Sequence, residues 1–240
     1  MAACLSLSVS GAQMVDDNLD GEPEHDLAAG DFSSWMAEVE PAIGGVGGVD
    51  VPCHGCTACC RSFQFVHIAA EETDTLSHIP AELLAPAPGM PRGHVVLGYD
   101  DRGHCPMLKN DRCSIYEHRP RTCRTYDCRV FPAAGVEIDD DDKVLIARRA
   151  RRWRFNFPTQ ADRSEHEAVR AAATFIRENA GLLPDAALAT NTTQLAVLAI
   201  EVHSSFLGRD ARTGRVSVVD PDPEAVGAEL RSRIGAGGRA

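Results

Sequence analysis

Eight of the nine cysteines in this 240-residue chain fall into two blocks. Val51-Pro-Cys-His-Gly-Cys-Thr-Ala-Cys-Cys60 supplies Cys53, Cys56, Cys59 and Cys60. The second block supplies Cys105, Cys113, Cys123 and Cys128, and only Cys4 stands outside both. Thiolate binds soft and borderline ions such as zinc and iron. A C-x2-C spacing lets two sulfurs from one turn reach the same metal without strain, and here it is repeated as Cys53-x2-Cys56-x2-Cys59. Bacterial ferredoxins hold a cubane cluster with three thiolates from one loop plus a distant cysteine followed by proline. Cys105-Pro106 offers such a distant cysteine. Zinc is the rival, because any four of these thiolates suffice for a closed tetrahedral site. Gly55 lets backbone approach a sulfur closely, where amide donors tune a cluster.

Neighbouring side chains are expected to diverge, so Cys59 and Cys60 serve different sites or only one of them is a ligand. His54, His104 and His118 stand beside cysteines and are candidates to replace a thiolate or to orient one. Buried cysteines or disulfides are the plain alternative. The tight spacing and a reducing compartment weigh against it.

The pattern C-x2-C-x2-C-C, followed by Cys113-Ser-Ile-Tyr-Glu-His-Arg-Pro-Arg-Thr-Cys-Arg124, resembles the YkgJ-type cysteine-cluster family, described as zinc- or iron-chelating. The resemblance spans residues 53 to about 131. It implies that all eight block cysteines belong to the cluster, and Tyr116, Arg119 and Pro120 match its other fixed positions. The family includes a flagellin lysine methylase that is an iron–sulfur enzyme. Resemblance to that enzyme ends at the cysteine module, so its activity is not carried over. Arg119 and Arg124 have a reading of their own as cofactor-binding groups. A thiolate cluster is strongly anionic, and guanidinium groups beside it offset that charge. The alternative is a surface ion pair to Glu117 or Asp127, worth little.

The elements that must position these residues follow from pattern. Residues 1–60 hold ten of the 35 acids and no Lys or Arg, leaving a nearly neutral body behind an acidic stretch. Residues 1–50 therefore read as a disordered leader ending in the Gly44–Gly48 linker, with a short helix near Phe32–Val39 as a docking spot. Deleting residues 1–48 is then expected to leave the metal site intact. Residues 51–135 form the cysteine domain. Within it, Phe63–Ile68 and His94–Tyr99 read as strands, residues 70–78 as a short helix, and the proline-rich 80–91 as a loop. Cys105 to Leu108 is the expected return partner of the 94–99 strand, and Arg119-Pro120 starts a helical turn carrying Cys123. Residues 136–240 read as a mainly helical region. Helices are expected over 143–154, over 161–179 capped by Thr159 and ended by Gly181, over 192–206, and from Asp222-Pro223 to about Ile234. An edge strand is expected at 215–219. The fold class is α+β: a small irregular metal-stapled cysteine domain with short strands, followed by C-terminal helices.

Composition excludes several functions. No run of about 18 apolar residues is present to span a membrane, and the N-terminal run Ala2–Val9 lacks the cationic region of a signal peptide. The expected compartment is the cytoplasm. The basic run Arg148–Phe155 reads first as a helix with one apolar stripe (Val144, Ile146, Ala150, Trp153) and solvated arginines, not as a nucleic-acid track. Three function classes follow. One is a cysteine-cluster protein carrying an iron–sulfur cluster or zinc, with redox or carrier duty toward a protein partner or substrate that the sequence does not identify. The others are a cluster-dependent group-transfer enzyme of methyltransferase type and a zinc-stapled interaction module.

Overall fold

A computed structural model describes residues 25–46, 48–49, 51, 55–179 and 191–237. Cys4, Cys53 and His54, the first half of the acidic leader, and Gly181 lie outside the described residues. The chain enters with strand β1 (Leu27–Asp31) and helix α1 (Phe32–Ile43). A 3-10 turn at Ala58–Arg61 leads to β2 (Val66–Ile68) and α2 (Thr73–Ser77), then to β3 (Leu84–Pro86) and β4 (Val95–Leu97). The hairpin strands β5 (Leu108–Lys109) and β6 (Arg112–Cys113) precede the short helices α3 (Arg121–Thr125) and α4 (Val130–Ala134). After α5 (Val144–Ala150) and β7 (Trp153–Asn156) come the long helices α6 (Gln160–Glu178) and α7 (Thr192–Val202). The hairpin β8 (Leu207–Arg209) and β9 (Val216–Val218) and helix α8 (Pro223–Gly237) close the chain.

The mixed α+β class holds, with short strands in small sheets and helices toward the C-terminus. β1 pairs in parallel with β7, β4 lies between β2 and β3, and two two-stranded hairpins complete the sheets. Among the described residues no helix is long and apolar enough to cross a membrane.

Two hydrophobic clusters organise the chain. The larger gathers Phe32, Trp35, Met36 and Val39 of α1 with α4, α5, α6, α7 and α8. The smaller contains Val66, Ile68, Ile79, Leu97, Met107 and Ile115. Long amphipathic segments must bury an apolar stripe, and α6 does so with Ala168, Val169, Ala172, Ala173 and Ile176. Its start is fixed by a capping box: Thr159 accepts from the Asp162 N–H, and the Asp162 carboxylate accepts from the Thr159 N–H.

Four expectations differ from the structure. The leader is not disordered where it is described: residues 27–43 are β1 and α1, and α1 sits at the centre of the larger core. Phe32, Trp35, Met36 and Val39 have the i, i+3, i+4, i+7 spacing that one helix face buries, whereas Glu38 stays exposed. The premise that residues 1–48 are dispensable falls with it. The helix expected over 143–154 stops at Ala150, because Trp153–Asn156 pairs with β1, a partner more than 100 residues away in sequence. The proline-rich loop contains a strand at Leu84–Pro86 on the edge of its sheet, where a proline forfeits no ladder bond. The return partner expected for the 94–99 strand is likewise displaced: β4 pairs with β2 and β3, and Leu108–Lys109 pairs instead with Arg112–Cys113.

Candidate metal centre

The two cysteine blocks meet at the seam between the two hydrophobic clusters. Cys56, Cys59 and Cys128 lie against the larger cluster. Cys105, Cys113 and Cys123 lie against the smaller one. None of the seven described cysteines is in a disulfide, and all are only partly buried.

Local structure explains each position. The 3-10 turn Ala58–Arg61 carries Cys59 and Cys60, and it is held by Cys60 N–H donating to the Thr57 carbonyl at 2.9 Å. Its thiols do not diverge as expected. The Cys60 side chain lies beside that of Cys59 and pushes its thiol up. Cys105 is bound directly to this turn, its N–H donating to the Cys60 carbonyl at 2.7 Å. The preceding turn is set by Asp100, whose carboxylate accepts from the N–H groups of Arg102 (2.9 Å) and His104 (2.8 Å). Gly103 is needed there: its φ is +79°, and an added Cβ would lie 2.5 Å from the Phe63 ring.

Cys113 is placed by a two-residue hairpin. Asn110 and Asp111 both adopt positive φ (50° and 57°), as a type I′ turn requires, and Leu108 then stands opposite Cys113. Arg61 pairs with Asp111 and so ties the hairpin tip to the first block. Cys123 sits on α3, which starts after Pro120 because the residue before proline, Arg119, is driven to extended backbone (φ −58°, ψ 142°). Glu72 accepts from the Arg121 N–H at 2.6 Å, and Thr122 Oγ1 donates to the His67 carbonyl at 2.7 Å, fixing α3 on β2.

Electrostatics shows which sulfurs share a space. Burial pushes the Cys123 thiol up to about 12, and Cys59, Cys105 and Cys113 add to the rise while Arg119 opposes it. The Cys105 thiol is raised by burial and, against a backbone hydrogen bond, by Cys113 and Cys59. Cys59 is raised by the Cys60 side chain, then by burial. Cys59, Cys105, Cys113 and Cys123, drawn from both blocks, therefore lie near enough for charge on one to be felt at another. A cation inserted among them reverses the balance, since a coordinating thiol gives up its proton outright. The Tyr126 hydroxyl is pushed up by burial and then by Cys128 and Cys59. The Trp153 indole donates to the Cys128 sulfur at 3.1 Å.

The residues beside the cysteines sort themselves. Arg119 caps the Tyr116 ring at 3.6 Å, donates to the Tyr116 carbonyl at 2.8 Å and favours the Cys123 thiolate. Arg124 is exposed and acts on Asp74. Asp127 is no surface partner for either arginine. It is buried, pairs with Arg129 at 2.8 Å and accepts from the Trp35 indole at 2.8 Å. This buried network, which also takes in the Ala29 carbonyl through Arg129 at 3.1 Å, was not visible in the sequence. His104 is buried next to Cys105, and His118 turns away to Asp74.

Residues 52–147 match the sequence model of the CxxCxxCC family, described as "Putative zinc- or iron-chelating domain". Over these 96 of the 240 residues the chain is similar to that family. No curated protein and no solved structure matches the chain. The matched stretch covers the 3-10 turn, the smaller cluster, α3, α4 and most of α5, and so takes in the seam and both sides of it. The donor set fits the chelation that the family's description names, because partly buried thiols converge there from four separate elements.

Proposed function

We propose that the matched stretch carries an iron–sulfur cluster at the seam, with a redox or carrier role. In this reading Cys59, Cys105, Cys113 and Cys123 are the core ligands, Arg119 offsets the cluster's negative charge, and Cys53, Cys56, Cys60 and Cys128 stand close enough in sequence or space to complete or exchange ligands.

One observation carries the preference for a cluster over a single zinc ion. Four sulfurs on one tetrahedral zinc, each about 2.3 Å from it, stand about 3.8 Å apart. Among the described residues, no three cysteine sulfurs lie within 4.8 Å of one another. A cubane puts each thiolate on a different iron and so holds its sulfurs further apart. The wider spacing supports the cluster. When bound, the cluster would supply one-electron chemistry. Of the chain's own residues, Arg119 adds positive charge on the Cys123 side.

Anaerobic purification with iron, acid-labile sulfide and zinc analysis tests this. A brown protein containing iron and sulfide in equal amounts is the expected result. A colourless protein holding zinc alone would overturn the cluster and favour a zinc-stapled module.

A further inference from the structure

His118 lies in the loop between Cys113 and Cys123, yet it faces away from the sulfurs. Its Nδ1 is 2.8 Å from Asp74 Oδ2. His78 approaches the same residue, with Nδ1 3.9 Å from Oδ1 and 2.8 Å from the Asp74 carbonyl. The two imidazoles stack with centroids 3.5 Å apart and planes 8° from parallel. One nitrogen from each ring and one carboxylate oxygen all fall within 4.8 Å of one another.

We propose that Asp74, His78 and His118 form a second metal site, made without cysteine, that takes a borderline divalent ion such as zinc, nickel or cobalt. Asp74 and His78 are four residues apart, and α2 with its C-terminal residue puts both on one face. The third ligand comes from 40 residues further along, at the end of the Tyr116–His118 turn. Two imidazoles and a carboxylate suit such ions and leave coordination positions open. Ligand atoms about 2.1 Å from one ion lie at most about 4.2 Å apart, so the present spacing needs only a small closure. The side chains are free to make it, since those of His78 and His118 are 38% exposed and that of Asp74 is 71% exposed.

The site has a structural consequence for the cysteines. An ion there clamps α2 to the turn that continues through Arg119 and Pro120 into the helix bearing Cys123. It would hold the second cysteine block in register with β2, beside the link that Glu72 already makes to Arg121.

The test is nickel titration of the untagged full chain, with its cysteine-bound metal in place, by calorimetry and equilibrium dialysis. The wild type is expected to take one additional Ni2+ per chain. Asp74→Asn, which preserves side-chain size, should weaken that binding by at least about tenfold, and the His78→Ala/His118→Ala double variant should abolish it. The metal held by cysteine and the circular dichroism should be unchanged in both variants, since all three side chains are solvent-facing. Uptake of no extra nickel by the wild type, or equal uptake by wild type and double variant, would overturn the site.

Discussion

The N–H of Cys105 donates to the carbonyl of Cys60 at 2.7 Å, joining the last residue of one cysteine block to the first of the other. The 44 residues between them form most of the smaller hydrophobic lobe. Closing that loop costs chain entropy that grows slowly with its length. The lobe's core offsets that cost, and a metal shared by the two blocks would offset it further, so metal binding and folding of this lobe are expected to be coupled.

Removing the metal should therefore loosen residues 55–131 first. Chelation under reducing conditions is expected to lower the melting temperature and to raise amide exchange in β2, β4 and α3, while α6 and α7 retain protection. Identical melting and exchange before and after verified metal loss would contradict the coupling.

Trp35 should matter far from the sulfurs. It fills the larger core and donates to the buried Asp127. Trp35→Phe keeps most of the packing but withdraws a donor from a buried carboxylate, an expected loss of about 1–3 kcal/mol. Trp35→Ala adds a cavity and should cost about 3–5 kcal/mol. Denaturant unfolding of the two variants measures both, and a Trp35→Ala protein as stable as the wild type would show that α1 is not part of the core.

Arg129→Met probes the same network from its charged side. It leaves the fully buried Asp127 side chain without its guanidinium partner, which should destabilise by about 3–5 kcal/mol. The double change Arg129→Met/Asp127→Leu removes both charges and is expected to recover a large part of that loss. Equal instability of the single and double variants would place the cost in packing, not charge.

Asp162 gives a pH dependence of known sign. Its carboxyl is held well below the usual range, chiefly by the Thr159 hydroxyl and further by the Ser33 and Thr159 N–H groups, against an opposing effect of burial. A depressed folded-state value means the contribution is complete above the unfolded value of about 3.9 and is lost as pH falls toward the folded one. Asp162→Asn should thus lower stability at neutral pH and flatten the decline below pH about 4. Parallel wild-type and variant curves down to the acid limit would rule this out.

How far the sequence carried the fold depends on where each partner lay. The Thr159 cap, the stripe of α6, the helix after Asn191 and the Asp222-Pro223 start are local patterns, and all were legible. The apolar face of α1 was legible too, at Phe32, Trp35, Met36 and Val39. The surrounding acids masked it, because composition averages over faces that a helix separates. The strand at Trp153 was not legible, since it pairs with β1 at Leu27–Asp31, far away in sequence. The cysteine blocks announced a metal, but not which sulfurs share it. That depends on the hairpin at Asn110-Asp111 and the docking of α3 on β2, and only the folded chain defines those. Asp74 and His78 carried no motif, because their partner His118 arrives through tertiary structure.

In the proposed function, both blocks hold one centre across the seam. Metal analysis of Cys59→Ser, Cys123→Ser and Cys4→Ser proteins, purified anaerobically, tests it most directly. Cys59→Ser and Cys123→Ser should each lose most of the bound metal, and Cys4→Ser, outside both blocks, should keep the full complement. A Cys123→Ser protein that retains all of its metal would mean that the two blocks do not share a site.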